Sequence, residues 1–149
     1  MIRTCTALAA VLLSAAAPAS LLAQERGDTV ATREQLAQKA AEAWLPLIHG
    51  GKYQESWQRA GKQFQQAVTA ELWAQQAAAV VAQVGALKSR QLENAQYSTE
   101  LPNAPAGEYV VLTYASAFAN APRAREVVVT VLEDGEWRVV GYFIGPAES

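Results

Sequence analysis

The stretch from Glu126 to Ile144, with the sequence EVVVTVLEDGEWRVVGYFI, decides the fold of this chain. It contains two runs of β-branched and aromatic residues, which favour β-strands. Asp134-Gly135 lies between the runs, and this dipeptide is typical of two-residue hairpin turns because both central residues adopt positive φ angles. The stretch therefore predicts a β-hairpin.

The predicted turn also sets the pairing of the two strands. On one face we expect the cross-strand pairs Leu132–Trp137, Thr130–Val139 and Val128–Gly141. On the other face we expect Glu133–Glu136, Val131–Arg138, Val129–Val140 and Val127–Tyr142. Both faces are largely apolar, and a lone hairpin is barely stable in water. We therefore expect the Trp137 face to pack on helices and the valine-rich face to meet more protein, a ligand or a second subunit.

Helical patterns occupy the part of the chain before the strands. A first amphipathic helix is predicted from a cap at Asp28 or Thr32 to Gly50, a short second helix over residues 52–60, and a third after the cap Thr69. The apolar positions that we expect to face the core are Leu36, Ala40, Ala43, Trp44 and Leu47 in the first helix, and Trp73, Ala77, Val80, Val81 and Val84 in the third.

The second half of the chain has the alternation of β-strands. Residues 87–97 and 108–119 predict two strands separated by a loop rich in proline and glycine, and the hairpin supplies two more. Because helices precede strands, we predict an α+β fold with about three N-terminal helices packed on one face of a four-stranded antiparallel sheet. A single domain is expected over residues 29–146, a length that suffices for one hydrophobic core.

The N-terminal residues have the composition of an export signal. Arg3 precedes an apolar run over residues 7–17, which is too short to span a bilayer, and small residues follow it. We predict cleavage after Ala23, with Ala19 as the alternative, and a flexible N-terminus over residues 24–28. A membrane anchor and a buried helix are the competing interpretations. The prediction is a periplasmic or secreted protein without a membrane span after cleavage.

Composition argues against several kinds of function. Cys5, the single cysteine, lies within the predicted signal, so the mature chain has no disulfide and no thiolate metal ligand. His49 is the single histidine, so we expect no metal site and no cofactor. We interpret His49 as bonding the free carbonyls at the end of the first helix. A formal net charge of −2 without a basic cluster makes nucleic acid a poor partner.

Nucleophilic and calcium sites are not indicated either. The serines lack the GxSxG context of a nucleophile elbow. The acidic residues at the hairpin tip, Glu133, Asp134 and Glu136, do not have the spacing of a calcium loop. We interpret them as a solvated turn.

The aromatic residues divide into core and candidate binding positions. Trp44, Trp73 and Trp137 are interpreted as core, because aromatic residues at helical or strand spacing usually pack and each buries a large area. Tyr53 and Trp57 lie on the short second helix and are candidates for ligand binding.

Two charges within strand runs are the other candidate binding residues, Arg90 and Glu126. If both point inward, they would pair with each other or meet a ligand between sheet and helices. The alternative is an exposed position on an edge strand, where charges prevent sheet-to-sheet aggregation. We favour the exposed position.

Short aromatic and glycine motifs extend over nearly the whole predicted mature chain: Trp44, Gly51-Lys52-Tyr53, Ser56-Trp57, Ser89-Arg90, Gly107-Glu108-Tyr109, Asp134-Gly135, Trp137-Arg138 and Gly141-Tyr142. Together they resemble the domain-of-unknown-function family 4019 (DUF4019). The resemblance implies a bacterial exported protein with a cystatin-like, nuclear-transport-factor-2-like (NTF2-like) fold, in which helices lie across a curved antiparallel sheet. It implies no activity.

These observations predict a non-catalytic module that binds a small molecule, a peptide or a protein. We also expect a homodimer through the outer sheet face with Val127, Val129, Val131, Val140 and Tyr142. The alternative function is an isomerase or dehydratase of the type that NTF2-like folds host, with Glu126 as a pocket acid. Such an acid needs a raised pKa in an apolar pocket, so contact with arginine or solvent would oppose it. A purely structural envelope component is the third possibility.

Overall fold

The computed structural model describes residues 21–147, with side chains from residue 33 onward. One antiparallel sheet with the strand order β1-β2-β3-β4 carries the helices on one face, which confirms the α+β class and the antiparallel meander. The elements are α1 Leu21–His49, α2 Tyr53–Arg59, α3 Lys62–Ala67, α4 Ala70–Val84, β1 Leu87–Ser98, β2 Tyr109–Phe118, β3 Ala124–Glu133 and β4 Glu136–Pro146.

Helix α1 begins earlier than predicted. It starts at Leu21, ahead of the expected caps Asp28 and Thr32, and includes residues 24–28, for which we predicted a flexible segment. The segment is rich in good helix formers and has no proline before Pro46, so nothing in it forces a later start. Most of the predicted signal lies in residues 1–20, outside the described residues. None of the helices within residues 21–147 is long and apolar enough to cross a membrane.

The buried face of α1 differs from the predicted face. Leu36, expected in the core, is 51% exposed, and Ala43 is exposed as well. The stripe that faces the sheet consists of Ala37, Ala41, Trp44, Leu45, Leu47 and Ile48. Alanines lie on several sides of this helix, and they carry too little hydrophobic contrast to define its core face. The face of α4 is confirmed at Trp73 and Ala77, which are buried, whereas Val80, Val81 and Val84 of the same predicted stripe are only partly buried. Its N-cap is confirmed too, because Thr69 Oγ1 accepts a hydrogen bond from the backbone nitrogen of Leu72 at 3.3 Å.

Helix α3 is an element that the sequence analysis did not predict. Its buried Phe64 packs edge-on against Trp73, with the ring centroids 4.9 Å apart. The Glu133 carboxylate accepts the backbone N–H of Lys62 at 3.1 Å, and the Lys62 ammonium lies 2.8 Å from Asp134. The hairpin tip therefore also caps and holds α3, whereas Asp134 and Glu136 are exposed, as predicted for a solvated turn. A six-residue segment with one large apolar side chain shows no helical periodicity.

The β3–β4 hairpin has the predicted turn. Asp134 has a φ of 50° and Gly135 a φ of 81°, as a two-residue turn of this kind requires. Four predicted pairs are confirmed from the tip inward: Glu133–Glu136, Leu132–Trp137, Val131–Arg138 and Thr130–Val139.

A bulge in β4 then changes the register. Val140 is an extra residue, so that Val129 pairs with Gly141 and Val128 with Tyr142. The predicted pairs Val129–Val140, Val128–Gly141 and Val127–Tyr142 are therefore wrong, because one inserted residue shifts every later pair. Tyr142 consequently faces the helices, where its ring lies 5.8 Å from that of Trp44.

The outer face of the sheet is less available than predicted. Tyr142 does not belong to it, and Val131 is only 3% exposed where it pairs with Tyr109. Val127 and Val129 are half-buried. Val140, the remaining predicted member, is half-buried at the bulge. The homodimer stays a prediction, and its surface now rests on Val127 and Val129, with Phe143 beside Val127.

The core lies between the helices and the sheet and contains the expected tryptophans. Trp44 is 3% exposed and stacks on Trp73, with the ring centroids 6.0 Å apart. Trp137 is partly buried and packs against the core residues. Both buried indoles donate to Ser56: Trp44 Nε1 to its carbonyl at 2.7 Å and Trp73 Nε1 to its hydroxyl at 2.9 Å. Ser56 thus joins α1, α2 and α4 without leaving an indole N–H unpaired.

Candidate functional site

Five polar side chains meet on the helix-facing side of the sheet, close to the end of α1. Each strand contributes one of them, and α1 contributes the fifth. We refer to them as the Glu126 cluster, which consists of His49, Arg90, Ser116, Glu126 and Tyr142. Glu126 lies at its centre and is fully buried.

Arg90 and Glu126 form a bidentate ion pair. Arg90 Nε donates to Glu126 Oε2 at 2.7 Å, and Arg90 Nη2 donates to Oε1 at 2.8 Å. The Arg90 side chain is 14% exposed. The exposed edge-strand position that we favoured for both charges is therefore wrong: β3 is an interior strand, and Arg90 points inward from the edge strand β1. Inward pointing is tolerated because each charge has a partner with good geometry.

Two hydroxyl groups complete the shell of the Glu126 carboxylate. Tyr142 Oη donates to Oε1 at 2.6 Å, and Ser116 Oγ donates to Oε2. Ser116 pairs with Arg90 across β1 and β2, so the register places the two side chains on one face. The bulge at Val140 brings Tyr142 to the same face. Neither hydroxyl was predicted as a member of the site. For Tyr142 the reason is that the bulge has no signature in the sequence.

His49 contacts the same ion pair instead of the helix carbonyls. Arg90 Nη2 donates to His49 Nε2 at 2.8 Å, because arginine has no acceptor atom. His49 Nε2 lies 3.6 Å from Glu126 Oε1, and the ring lies 5.4 Å from that of Phe118. The predicted role at the helix carbonyls is therefore wrong. His49 Nδ1 is buried and makes no hydrogen bond with any residue in the described part of the chain.

Electrostatics keeps Glu126 ionised. Burial by itself raises the pKa of Glu126, but the polar groups that surround the carboxylate lower it more, and the net pKa lies well below the ordinary value of 4.5. The groups that lower it are His49, Arg90, Ser116 and Tyr142. Burial, the Glu126 charge and the hydrogen bond to it raise the pKa of Tyr142 above 10.0. Near neutral pH the cluster holds a carboxylate and a neutral phenol.

Tyr114 lies on the same sheet face and is 1% exposed. Its hydroxyl makes no hydrogen bond with the residues that the structure describes. Burial, reinforced by the charges of Glu42 and Glu126, raises the pKa of Tyr114 to about 12. Tyr114 is therefore a second neutral phenol on the helix-facing side.

The other two candidate binding residues lie elsewhere. Tyr53 and Trp57 are on α2, half-buried against the core, and Trp57 Nε1 donates to the carbonyl of Val68 at 2.8 Å. The structure thus brings Arg90 and Glu126 together, but the hydrogen bonds of their cluster include neither aromatic residue. A ligand-binding role for these four residues stays a prediction.

An open groove runs between α4 and β4, beside the cluster. Its first part has a volume of about 500 Å³ and is lined mainly by apolar side chains, with Tyr142 in its wall. Its second part, of about 440 Å³, shares Val80 and Ile144 with the first. We call the two parts together the α4–β4 groove. Phe143 lines the first part and is 63% exposed. Val80 was predicted to lie in the core, because a groove wall and a core position have the same periodicity.

Metal ligation is not supported by the geometry of residues 33–147. No group of three or more histidine, cysteine, aspartate or glutamate side chains lies close enough together there to hold a metal ion.

A family model described as "Protein of unknown function (DUF4019)" matches residues 40–142. The match includes every member of the Glu126 cluster and most of the lining of the α4–β4 groove. No curated protein matches the chain.

Proposed function

The chain belongs to the DUF4019 family of proteins of unknown function, and we propose that it is a small exported, non-catalytic module that binds an apolar ligand in the α4–β4 groove. The single observation that carries the proposal is the groove itself. Its first part, of about 500 Å³, lies in the range typical of small-molecule sites, roughly 300–1,000 Å³. It combines aromatic and aliphatic walls with two polar side chains, Gln76 and Tyr142.

The Glu126 cluster supports a binding role for this fold more than a catalytic one. A general acid at neutral pH needs a raised pKa, whereas the pKa of Glu126 is lowered. Both carboxylate oxygens are occupied by Arg90 and by hydroxyl groups. We infer that the cluster anchors the groove wall, because Tyr142 belongs to both.

The isomerase or dehydratase alternative would require Glu126 to leave its ion pair. Its test is the titration of the Glu126 side-chain carbon by NMR. A titration midpoint above the ordinary pKa of 4.5 would support the enzyme, and a midpoint below it would support the binding module.

The binding proposal is tested with N-phenyl-1-naphthylamine, an uncharged fluorescent probe of apolar sites. We expect saturable binding to the wild-type protein and its loss in Val80→Trp, because Val80 lines both parts of the groove and a larger side chain fills it. Ala82→Trp is the matched control, since Ala82 is exposed on the same helix and lines neither part. Equal probe binding in both variants, or none in the wild type, would refute the proposal.

Export and superfamily are parts of the same proposal. The N-terminal composition, with Arg3, a short apolar run and the small residues before Ala23, supports a cleaved signal. Helices across one face of a four-stranded antiparallel meander support a cystatin-like, NTF2-like architecture. Intact-mass measurement on the periplasmic fraction tests export, with the expected N-terminus at Gln24 and the alternative at Ser20. A full-length chain retained in the cytoplasm would contradict it.

A further inference from the structure

The α4–β4 groove is almost uncharged along its length. The first part is lined by Ile48, Trp73, Gln76, Ala77, Ala79, Val80, Tyr142, Phe143 and Ile144, none of which carries a charge near neutral pH. The second part is lined mainly by small and apolar residues, and Arg123 is the single charged side chain among the described residues that line it. The α4–β4 groove is therefore an apolar groove with one cationic side chain, Arg123, in its second part.

The charge at that end is available to a ligand. Arg123 is exposed, and its guanidinium makes no ion pair with any residue of the described chain. The other arginine with a clear role near the groove, Arg90, is held by Glu126. A guanidinium next to an apolar groove is complementary to a molecule with an anionic head group and an apolar tail.

The length of the α4–β4 groove limits the size of such a molecule. Trp73 lines the first part and Val84 the second, so the groove follows α4 over eleven residue steps, which at 1.5 Å per residue corresponds to about 16 Å. This length suits an unbranched alkyl chain of medium length. The exposed ring of Phe143 adds apolar contact area at the rim.

Resting on the binding role proposed above, we propose that the ligand of the α4–β4 groove is a free medium-chain carboxylate, with its tail between α4 and β4 and its head at Arg123. The walls that receive the tail are Trp73, Ala77 and Val80 on the helix and Ile144 on the strand. Burial of the tail supplies most of the affinity, and the arginine supplies the preference for an anion.

Dodecanoate and dodecanol test the proposal as a pair that differs only in the head group. Isothermal titration calorimetry on the purified protein is expected to show tighter binding of dodecanoate. Arg123→Gln should weaken the binding of dodecanoate by about two- to fivefold, the range expected for an exposed ion pair. The affinity for dodecanol should not change. Lys88→Gln is the control, because it removes one exposed positive charge outside the groove. Val80→Trp should abolish binding of both compounds.

The outcomes separate the two proposals. Equal affinity for dodecanoate and dodecanol, with no effect of Arg123→Gln, would overturn the carboxylate and leave the apolar binding module in place. Equal weakening of dodecanoate by Arg123→Gln and Lys88→Gln would also overturn it, because only net charge would then matter. Failure of both compounds and of the uncharged fluorescent probe to bind would overturn the module itself.

Discussion

Arg90 and Glu126 make a two-point ion pair across an intervening strand. Arg90 is on β1 and Glu126 on β3, and β2 lies between them in the sheet. The two donor–acceptor distances are 2.7 and 2.8 Å, and the Glu126 side chain is fully buried. The pair therefore ties the edge strand to the centre of the sheet on the side that faces α1.

Replacement of Glu126 by glutamine should be strongly destabilising. The amide cannot compensate the Arg90 charge, which is 14% exposed, and an uncompensated buried charge costs about 3–5 kcal/mol of unfolding free energy. Urea denaturation followed by tryptophan fluorescence measures the loss. Glu136→Gln is the control, since its partner Arg138 is at the surface and the expected change is about 0–1 kcal/mol. Similar losses in the two variants would show that the buried pair has no special weight.

Acid should remove the contribution of Glu126 to stability. The pKa of Glu126 is 4.5 in an ordinary setting and lower in the folded protein, so the unfolded chain binds the proton more readily. The stabilisation is complete above pH 4.5 and is lost as the pH falls toward the lowered folded value. We therefore expect the difference in unfolding free energy between wild type and Glu126→Gln to narrow from pH 6 to pH 3. A difference that stays constant over this range would contradict the lowered pKa.

The sequence could predict the elements better than their faces. The hairpin turn, the four strands and the cap of α4 follow from local chemistry at Asp134-Gly135 and Thr69, and they are confirmed. The core face of α1 was predicted wrongly because the alanines of this helix provide little hydrophobic contrast. The Glu126 cluster could be predicted only in part, since inward or outward pointing of a strand charge depends on the strand's place in the sheet. The inward orientation of Tyr142 results from the bulge at Val140, which is set by tertiary packing and not by a local sequence pattern.

The outer sheet face provides a test of the homodimer prediction. Val127 and Val129 are half-buried there, and Phe143 is 63% exposed beside Val127 across β3 and β4. A lysine at Val127 would place a charge at the centre of an apolar contact, so we expect Val127→Lys to convert a dimer into a monomer. Light scattering during size-exclusion chromatography measures the mass. Ala82→Lys, on the opposite side of the molecule in α4, should remain dimeric, and a monomeric wild type would disprove the prediction.

Gly61 is the position where the helical layer meets the free edge of β4. Its backbone N–H donates to the carbonyl of Val139 at 2.7 Å, and a Cβ added to Gly61 would lie 2.6 Å from Val140 Cγ1 and 3.1 Å from Glu133 Oε1. Valine is stiff at χ1, and Val140 belongs to the bulge, so it cannot move away freely. Gly61→Ala should therefore cost about 1–3 kcal/mol of unfolding free energy, as overpacking does.

The control for this substitution is Gly145→Ala, because a Cβ there meets nothing within 4 Å and the conformation is not left-handed. We expect its effect on stability to be within about 0.5 kcal/mol. If the clash with Val140 is the cause, the double variant Gly61→Ala/Val140→Ala should lose less stability than the sum of the two single variants, since truncation of the valine makes room for the new methyl group. Additive losses in this cycle would mean that Gly61 is required for another reason than the close approach of α3 to the bulge.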